Sequence, residues 1–292
     1  MFFGARLIPL EKKTGGIRPI AVGSILRRLC SKLVICTASD RIMKYLQPHQ
    51  IGFHTKNGAE VGVHIARDYI SVPSQKYVLK IDFSNAFNSV SRQEIFNQIE
   101  KVCPETIPYV SSAYLNESLL MLNDGSTIES SEGVQQGDPL GPLLFSLAIH
   151  PVVLQLKSRL NVWYLDDGLL GSQDVAELFH DYILLKDEAA KIGLHINAKK
   201  CEIVHNDSEE VAEFLKMGVT QTKLNDFQFL GAGIEPECVT AVLNDKLESL
   251  KGVHKRLHLL PAQQATFLLR ACFGLPRFMY ILLVLLPIQS KW

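Results

Sequence analysis

The sequence predicts an α+β fold, and three observations carry that expectation. Val162 to Gly171 reads V-W-Y-L-D-D-G-L-L-G, two short apolar runs around paired carboxylates and a glycine, the pattern of a β-hairpin with acids at its bend. Tyr77 to Phe83 (Y-V-L-K-I-D-F) is a second β-rich run, with Asp82 towards its C-terminal end. Elsewhere Leu26 to Leu46, Val175 to Ile192 and the stretch from Val242 space their apolar residues as helices do. With 292 residues the chain can bury a sizeable core, as one large domain or a few lobes.

An Asp-Gly pair in a hairpin needs no chemical purpose, because it is a common turn signal. A carboxylate leaving one strand and a pair on a neighbouring hairpin can, however, converge on two Mg²⁺ ions, which take hard oxygen ligands and leave sites for phosphates. That donor set suits nucleotidyl transfer by in-line displacement. Asp82 and Asp166 are the expected metal ligands. Asp167 joins them only if the turn brings it in, since neighbours on a strand point to opposite faces.

I-D-F-S-N-A-F-N-S-V at Ile81 to Val90, G-V-Q-Q-G-D-P-L-G-P at Gly133 to Pro142 and Y-L-D-D at Tyr164 to Asp167 resemble successive palm motifs of a reverse transcriptase domain. The style is that of a non-LTR (LINE-type) retrotransposon. L-E-K-K-T-G-G-I-R-P-I near the start, and G-L-H-I-N-A-K-K-C-E and F-L-G after the hairpin, extend the likeness over most of the chain. The resemblance implies a right-hand polymerase, with fingers in residues 1–75 and part of 92–132, a palm with a small antiparallel sheet in 76–240, and a thumb in 241–292. It also implies an RNA-directed DNA polymerase that adds dNTPs to a DNA primer on an RNA template, using two Mg²⁺. Two rivals stand beside it: an RNA-dependent RNA polymerase, and a decayed or domesticated element that binds nucleic acid without polymerising.

The formal net charge of zero hides an uneven distribution. Residues 1–50 hold nine Lys/Arg against two acids, residues 51–240 fourteen against twenty-six, and residues 241–292 seven against two. Basic ends around an acidic middle suit a chain that grips phosphates on either side of a metal-binding centre. The six cysteines have no metal-site spacing and are expected as buried thiols in a reducing compartment. His254 and His258, four apart, are assigned no role. Met1 to Leu10 lacks the features of a secretory signal. The apolar run Phe278 to Ile288 is shorter than a membrane span, so a buried helix and no membrane partner are expected. Residence inside the cell, in nucleus or cytoplasm, and the oligomeric state are left open.

In chain order, Arg6 to Ile20 reads strand, turn, strand, with Gly15 and Gly16 at the turn and Pro9 and Pro19 suited to edges. In the family this is the fingertip over the incoming nucleotide, which carries phosphate contacts onto Arg18 and either Lys12 or Lys13. Leu26 to Leu46 is expected to pack the fingers through Leu26, Leu29, Leu33, Ile42 and Leu46, with Arg27, Arg28, Lys32, Arg41 and Lys44 towards a template. I-G-F-H-T-K-N-G-A-E resembles a template-contacting loop before a helix, Ala59 to Ile70. Phe87 matches the steric gate, an aromatic ring beneath a deoxyribose; packing with Phe83 is the competing reading. Arg92 to Leu122 reads as helices broken at Pro104 and Pro108, and Asn123-Asp124-Gly125 as a turn.

Gln136 and Gly137 are candidates to touch the nucleotide, by side-chain hydrogen bonding and close backbone approach. Asp138 with Pro139 reads as a helix N-cap before an apolar helix, Leu143 to Leu156. Val175 to Ile192 should end at Gly193. In the alternating segment after it, Lys200 or Lys199 would supply charge or a proton to a pyrophosphate leaving group. Phe229, Leu230 and Gly231 match the turn that holds a primer end. From Val242 a basic amphipathic helix is expected as a thumb helix, followed past Pro261 by Thr266 to Leu286 over the thumb core.

Overall fold

The computed structural model describes residues 3–11, 15–72 and 77–285. Lys12 and Lys13 lie outside the described residues. In chain order come strands β1 (Ala5–Glu11) and β2 (Ile17–Gly23), helices α1 (Ile25–Leu46) and α2 (Gly58–Ser71), and strand β3 (Tyr77–Ile81). Helices α3 (Ala86–Ser89), α4 (Arg92–Val102) and α5 (Ile107–Tyr114) lead to strands β4 (Ser118–Met121) and β5 (Thr127–Ser130). Then follow α6 (Gly141–Val153), β6 (Leu160–Tyr164), β7 (Asp167–Ser172), α7 (Val175–Lys191), β8 (Glu202–Val204), α8 (Ala212–Lys216) and β9 (Thr220–Thr222). The chain continues through β10 (Gln228–Phe229), β11 (Ala232–Gly233), α9 (Pro236–Leu257), α10 (Ala262–Leu268) and α11 (Pro276–Leu285).

Two sheets organise this α+β fold. The central one runs β6-β7-β3-β8-β9, antiparallel except for a parallel β9 at its edge. The other runs β2-β1-β4-β5. Pro9 faces Pro19 across the β1–β2 ladder, while β4 pairs with β1 only at Ala5 and Arg6. Neither proline therefore interrupts a ladder bonded on both sides. Most of α6 is buried, including Leu144, Phe145 and Leu147, which makes it the pillar of the main core with α4, α7 and the sheet. Helix α7 ends as its sequence demands: Leu194 N–H returns to the Ala189 carbonyl, and Gly193 takes φ +80°.

Four expectations need correction. Helix α1 turns over in its first half: Leu26, Leu29 and Leu33 are exposed, while Arg27 and Ser31 are buried with Ile35, Ala38, Ile42 and Leu46. The reason is polar. Arg27 donates to Asp138 (2.5 Å) and Gln135 (2.8 Å) and also to the Phe3 carbonyl, and Ser31 reaches Asp138 at 3.2 Å. Residues 118–121, expected as helix, form β4, because Ser118 to Met121 pair with Thr127 to Ser130 across the Asn123–Gly125 turn. Cys36 and Cys272 are exposed, against the expectation of buried thiols; Cys103, Cys201 and Cys238 are buried.

The fourth correction concerns the last apolar segment. Ala262 to Leu285 is a 24-residue helical run with a window of mean hydropathy 1.7, of which 11% is buried. By length and composition alone it could cross a membrane. Its last part does pack over a small core, Ile281 against Cys238, Val239 and Val242 of α9, but the run as a whole is not a buried helix. Only Ile281 and Val284 are buried within it, and Phe267 and Leu275 are 68% and 65% exposed.

Candidate active site

Strand pairing brings the three acids together. Ile81 faces Gly168 across the β3–β7 ladder, so Asp82, one residue on, lies across from Asp167 and on the same side of the sheet. In the β6–β7 hairpin Tyr164 pairs with Asp167, which leaves Leu165 and Asp166 as the two-residue turn. The bend is thus one step earlier than the Asp-Gly pair suggests. Asp167 is already in strand β7, and strand alternation does not separate it from Asp82. Gly168 serves packing instead, since a Cβ there would stand 2.5 Å from the Trp163 ring.

Burial and mutual repulsion mark these acids. Asp167 is pushed up to about 6, first by burial and then by Asp166 and Asp82, against an opposing pull from Lys80. Asp166 is raised by burial, partly offset by a hydrogen bond to its own backbone; Asp82 adds to the rise and Arg18 opposes it. Lys80 is held by Glu202 at 2.6 Å, and Lys200 Nζ stands 3.9 Å from Asp82 Oδ1. Asp82 is anchored through its backbone, where Asn197 N–H donates to its carbonyl at 2.8 Å and the Cys201 sulfur lies 3.4 Å from its amide. Burial pushes the Cys201 thiol up to about 11, so it stays protonated. Hard carboxylate oxygens that repel one another are a donor set that divalent cations satisfy. Among the described residues no group of three His, Cys, Asp or Glu side chains is arranged to hold a metal ion by itself.

Beside the acids lies a cavity of about 520 Å³. Arg18, Phe87, Gln136, Gly137 and Asp166 line it, together with Arg28 and Lys32 from α1. Its walls are joined by main chain: Ala21 N–H donates to the Gln136 carbonyl at 2.7 Å, and Gly137, at φ +110°, lies where a Cβ would meet the Ala21 oxygen at 2.7 Å. Phe87 packs against Phe145, not Phe83, with ring centroids 4.8 Å apart and planes at 15°. Its carbonyl accepts from Val134 N–H at 2.7 Å. Asp138 does not cap α6, which begins at Gly141. It accepts from Leu140 N–H (3.0 Å) and Tyr114 (2.8 Å) as well as Arg27, and so braces the cavity floor.

The remaining candidates are scattered around this centre. Lys199 and Lys200 lie in a 3₁₀ turn, Ala198–Lys200, rather than in a strand, and Lys200 is the one near Asp82. Phe229 is fully buried, so the turn it begins offers a strand only Leu230 (φ +50°) and the Gly231 backbone. That turn is held from behind, because Tyr280 donates to the Leu230 carbonyl at 2.9 Å and Arg67 binds the Gly233 and Ile234 carbonyls. Sequence reasoning missed the inward role of Arg27 and passed over Gln50. Gln50 is 3% exposed and hydrogen-bonded to Leu165 in the acidic turn. A polar residue beside the I-G-F run was the available signal.

Residues 10–234 match a family model described as reverse transcriptase (RNA-dependent DNA polymerase). The chain is 28% identical over 229 residues to a Pol polyprotein from the type-1 retrotransposable element R2 of Bradysia coprophila, covering 69% of this chain and 26% of that protein. It is 27% identical over 213 residues to the retrotransposable element SLACS 132 kDa protein of Trypanosoma brucei gambiense, covering 68% and 17%. The chain thus spans about a quarter of the length of the first relative. Among solved structures, apo telomerase from Candida tropicalis superposes with a TM-score of 0.59 at 12% identity, over 82% of this chain and 48% of that one. Telomerase from Candida albicans with a fragment of telomeric RNA gives 0.54 at 12%, over 70% and 43%. These structural likenesses speak to the fold.

Proposed function

This chain belongs to the reverse transcriptase family, and we propose that it is the catalytic part of an RNA-directed DNA polymerase that extends a DNA primer with dNTPs along an RNA template. The observation that carries the reading is the meeting of Asp82, Asp166 and Asp167 at the edge of a cavity lined by Arg18, Phe87 and Gln136. Asp82, Asp166 and Asp167 would hold two Mg²⁺ ions, which when bound make the primer hydroxyl a better nucleophile and neutralise charge on the triphosphate. Arg18, facing the same cavity, binds and orients the phosphates, and Lys12 or Lys13 adds charge. Lys200, beside Asp82, offers a proton to the departing pyrophosphate. Phe87, braced by Phe145, lies under the sugar and excludes a 2′-hydroxyl. Gln136 and Gly137 form the wall against the base or template, while Leu230 and Gly231 seat the primer end.

In this reading residues 1–75 with part of 92–132 are the fingers, 76–240 the palm and 241–292 the thumb. The first division follows the two sheets, since β4 and β5 complete the β1–β2 sheet. The second cuts α9, which starts at Pro236, so the thumb is better begun there. The test is dNTP incorporation on a primed RNA template with Mg²⁺, comparing the chain with its Asp82→Asn variant. Incorporation is expected to fall by several orders of magnitude in the variant. Equal activity in both, or none in the parent chain under these conditions, sinks the reading, and preference for rNTPs would turn it into an RNA polymerase.

A further inference from the structure

The acidic turn is held from outside the sheet. After α1 the chain runs alongside β6: Trp163 N–H donates to the His49 carbonyl at 2.7 Å, and Ile51 N–H donates to the Trp163 carbonyl at 2.8 Å. This places the Gln50 side chain at the end of the hairpin. Its Oε1 accepts from Leu165 N–H at 2.7 Å and from Gly52 N–H at 3.0 Å, and its Nε2 donates to the Leu165 carbonyl at 3.2 Å. One buried amide therefore grips both main-chain polar groups of the residue before Asp166. Leu165 itself has φ +58°, a region that L side chains with a Cβ avoid. Such a conformation persists where the surroundings over-determine it. On the facing side there is no spare room, because a Cβ on Gly52 would stand 2.5 Å from the Leu165 nitrogen.

We infer that Gln50 is a positioning residue for the reaction: by clamping the main chain of Leu165 it fixes the direction in which Asp166 presents its carboxylate. The inference rests on the proposed polymerase reading of the site. Gln50 touches no reacting atom and acts only through the turn. A displacement of about 1 Å at a reacting centre costs roughly 10²-fold in rate, so a slack turn would be felt in turnover and metal capture before nucleotide affinity.

The test compares the chain with Gln50→Met, which keeps the volume and deletes three hydrogen bonds, and with Gly52→Ala, which pushes on the same contact with Gln50 in place. In the unaltered protein, hydrogen exchange should show the Leu165 amide protected like that of Trp163; exchange at exposed-loop rates overturns the inference. In folded Gln50→Met the Leu165 amide should exchange faster, the Mg²⁺ concentration for half-maximal extension should rise about tenfold, and kcat should drop roughly 10²-fold with dNTP KM little changed. A packing role alone would lower the melting temperature and leave the Mg²⁺ requirement and kcat untouched, which overturns the inference. Should Gln50→Met not fold, Gly52→Ala gives the same readouts, with the same outcomes deciding. Asp82→Asn separates the two readings: extension that survives it removes the polymerase assignment, whereas its loss beside a wild-type Gln50→Met removes only the clamp.

Discussion

The buried pair between Arg27 and Asp138 gives a prediction that can be worked from contacts. Arg27 is 1% and Asp138 6% exposed, and their side chains meet at 2.5 Å. Removing one partner of such a pair costs about 3–5 kcal/mol, because a charge is left without its match away from water. Arg27→Met leaves the Asp138 carboxylate with Tyr114 Oη at 2.8 Å, Leu140 N–H at 3.0 Å and Ser31 Oγ at 3.2 Å, so its cost should sit near the lower end, about 3 kcal/mol. Asp138→Asn leaves Arg27 with Gln135 and the Phe3 carbonyl and should cost about as much. The double variant carries no unmatched charge and should fall short of the sum by about 2 kcal/mol. Urea unfolding followed through buried Trp163, in a Trp292→Phe background, measures this. Costs that add to within about 0.5 kcal/mol would refute the account of why α1 buries an arginine. Because Gln135 to Pro139 line the cavity beside the acids, the proposed function expects each single variant also to raise dNTP KM more than it lowers kcat.

Two further outcomes are expected. Phe87→Val should admit ribonucleotides, read as the ratio of rNTP to dNTP kcat/KM, and unchanged selectivity would retire the gate. His150 on α6 is buried, and burial first and then nearby His49 lower it to about 4 from 6.5. Its neutral form is the one the fold accepts, so stability is fully present above 6.5 and drains away as pH falls towards 4, by roughly 3 kcal/mol at 1.36 kcal/mol per pKa unit. His150→Phe should flatten that segment of a melting-temperature profile; an identical acid slope would contradict it.

The acids were legible because their meaning is local: a strand ending in Asp82 and a hairpin around Asp166 announce themselves within ten residues, and pairing register does the rest. Helix α1 was not legible in its first half. Apolar spacing pointed to Leu26, Leu29 and Leu33, but the partner that draws Arg27 inward lies 111 residues away, and periodicity has no access to such a pairing. The same holds for Gln50, whose partner Leu165 is 115 residues distant. Residues 118–121 show the converse error, since a strand is chosen there by the ladder it completes with β5 and β1 rather than by its own four residues. The exposed run Ala262 to Leu285 misled because an apolar composition was taken for burial.

The seam between Ala21 and Gln136 is sewn through main-chain atoms alone. Its two margins therefore tolerate change unequally. Position 21 can drift among small side chains as long as it keeps an amide hydrogen, and proline is the substitution that unpicks the stitch. Position 137 has no such latitude, for any residue but glycine would bring a carbon against the oxygen on the other lip of the cleft.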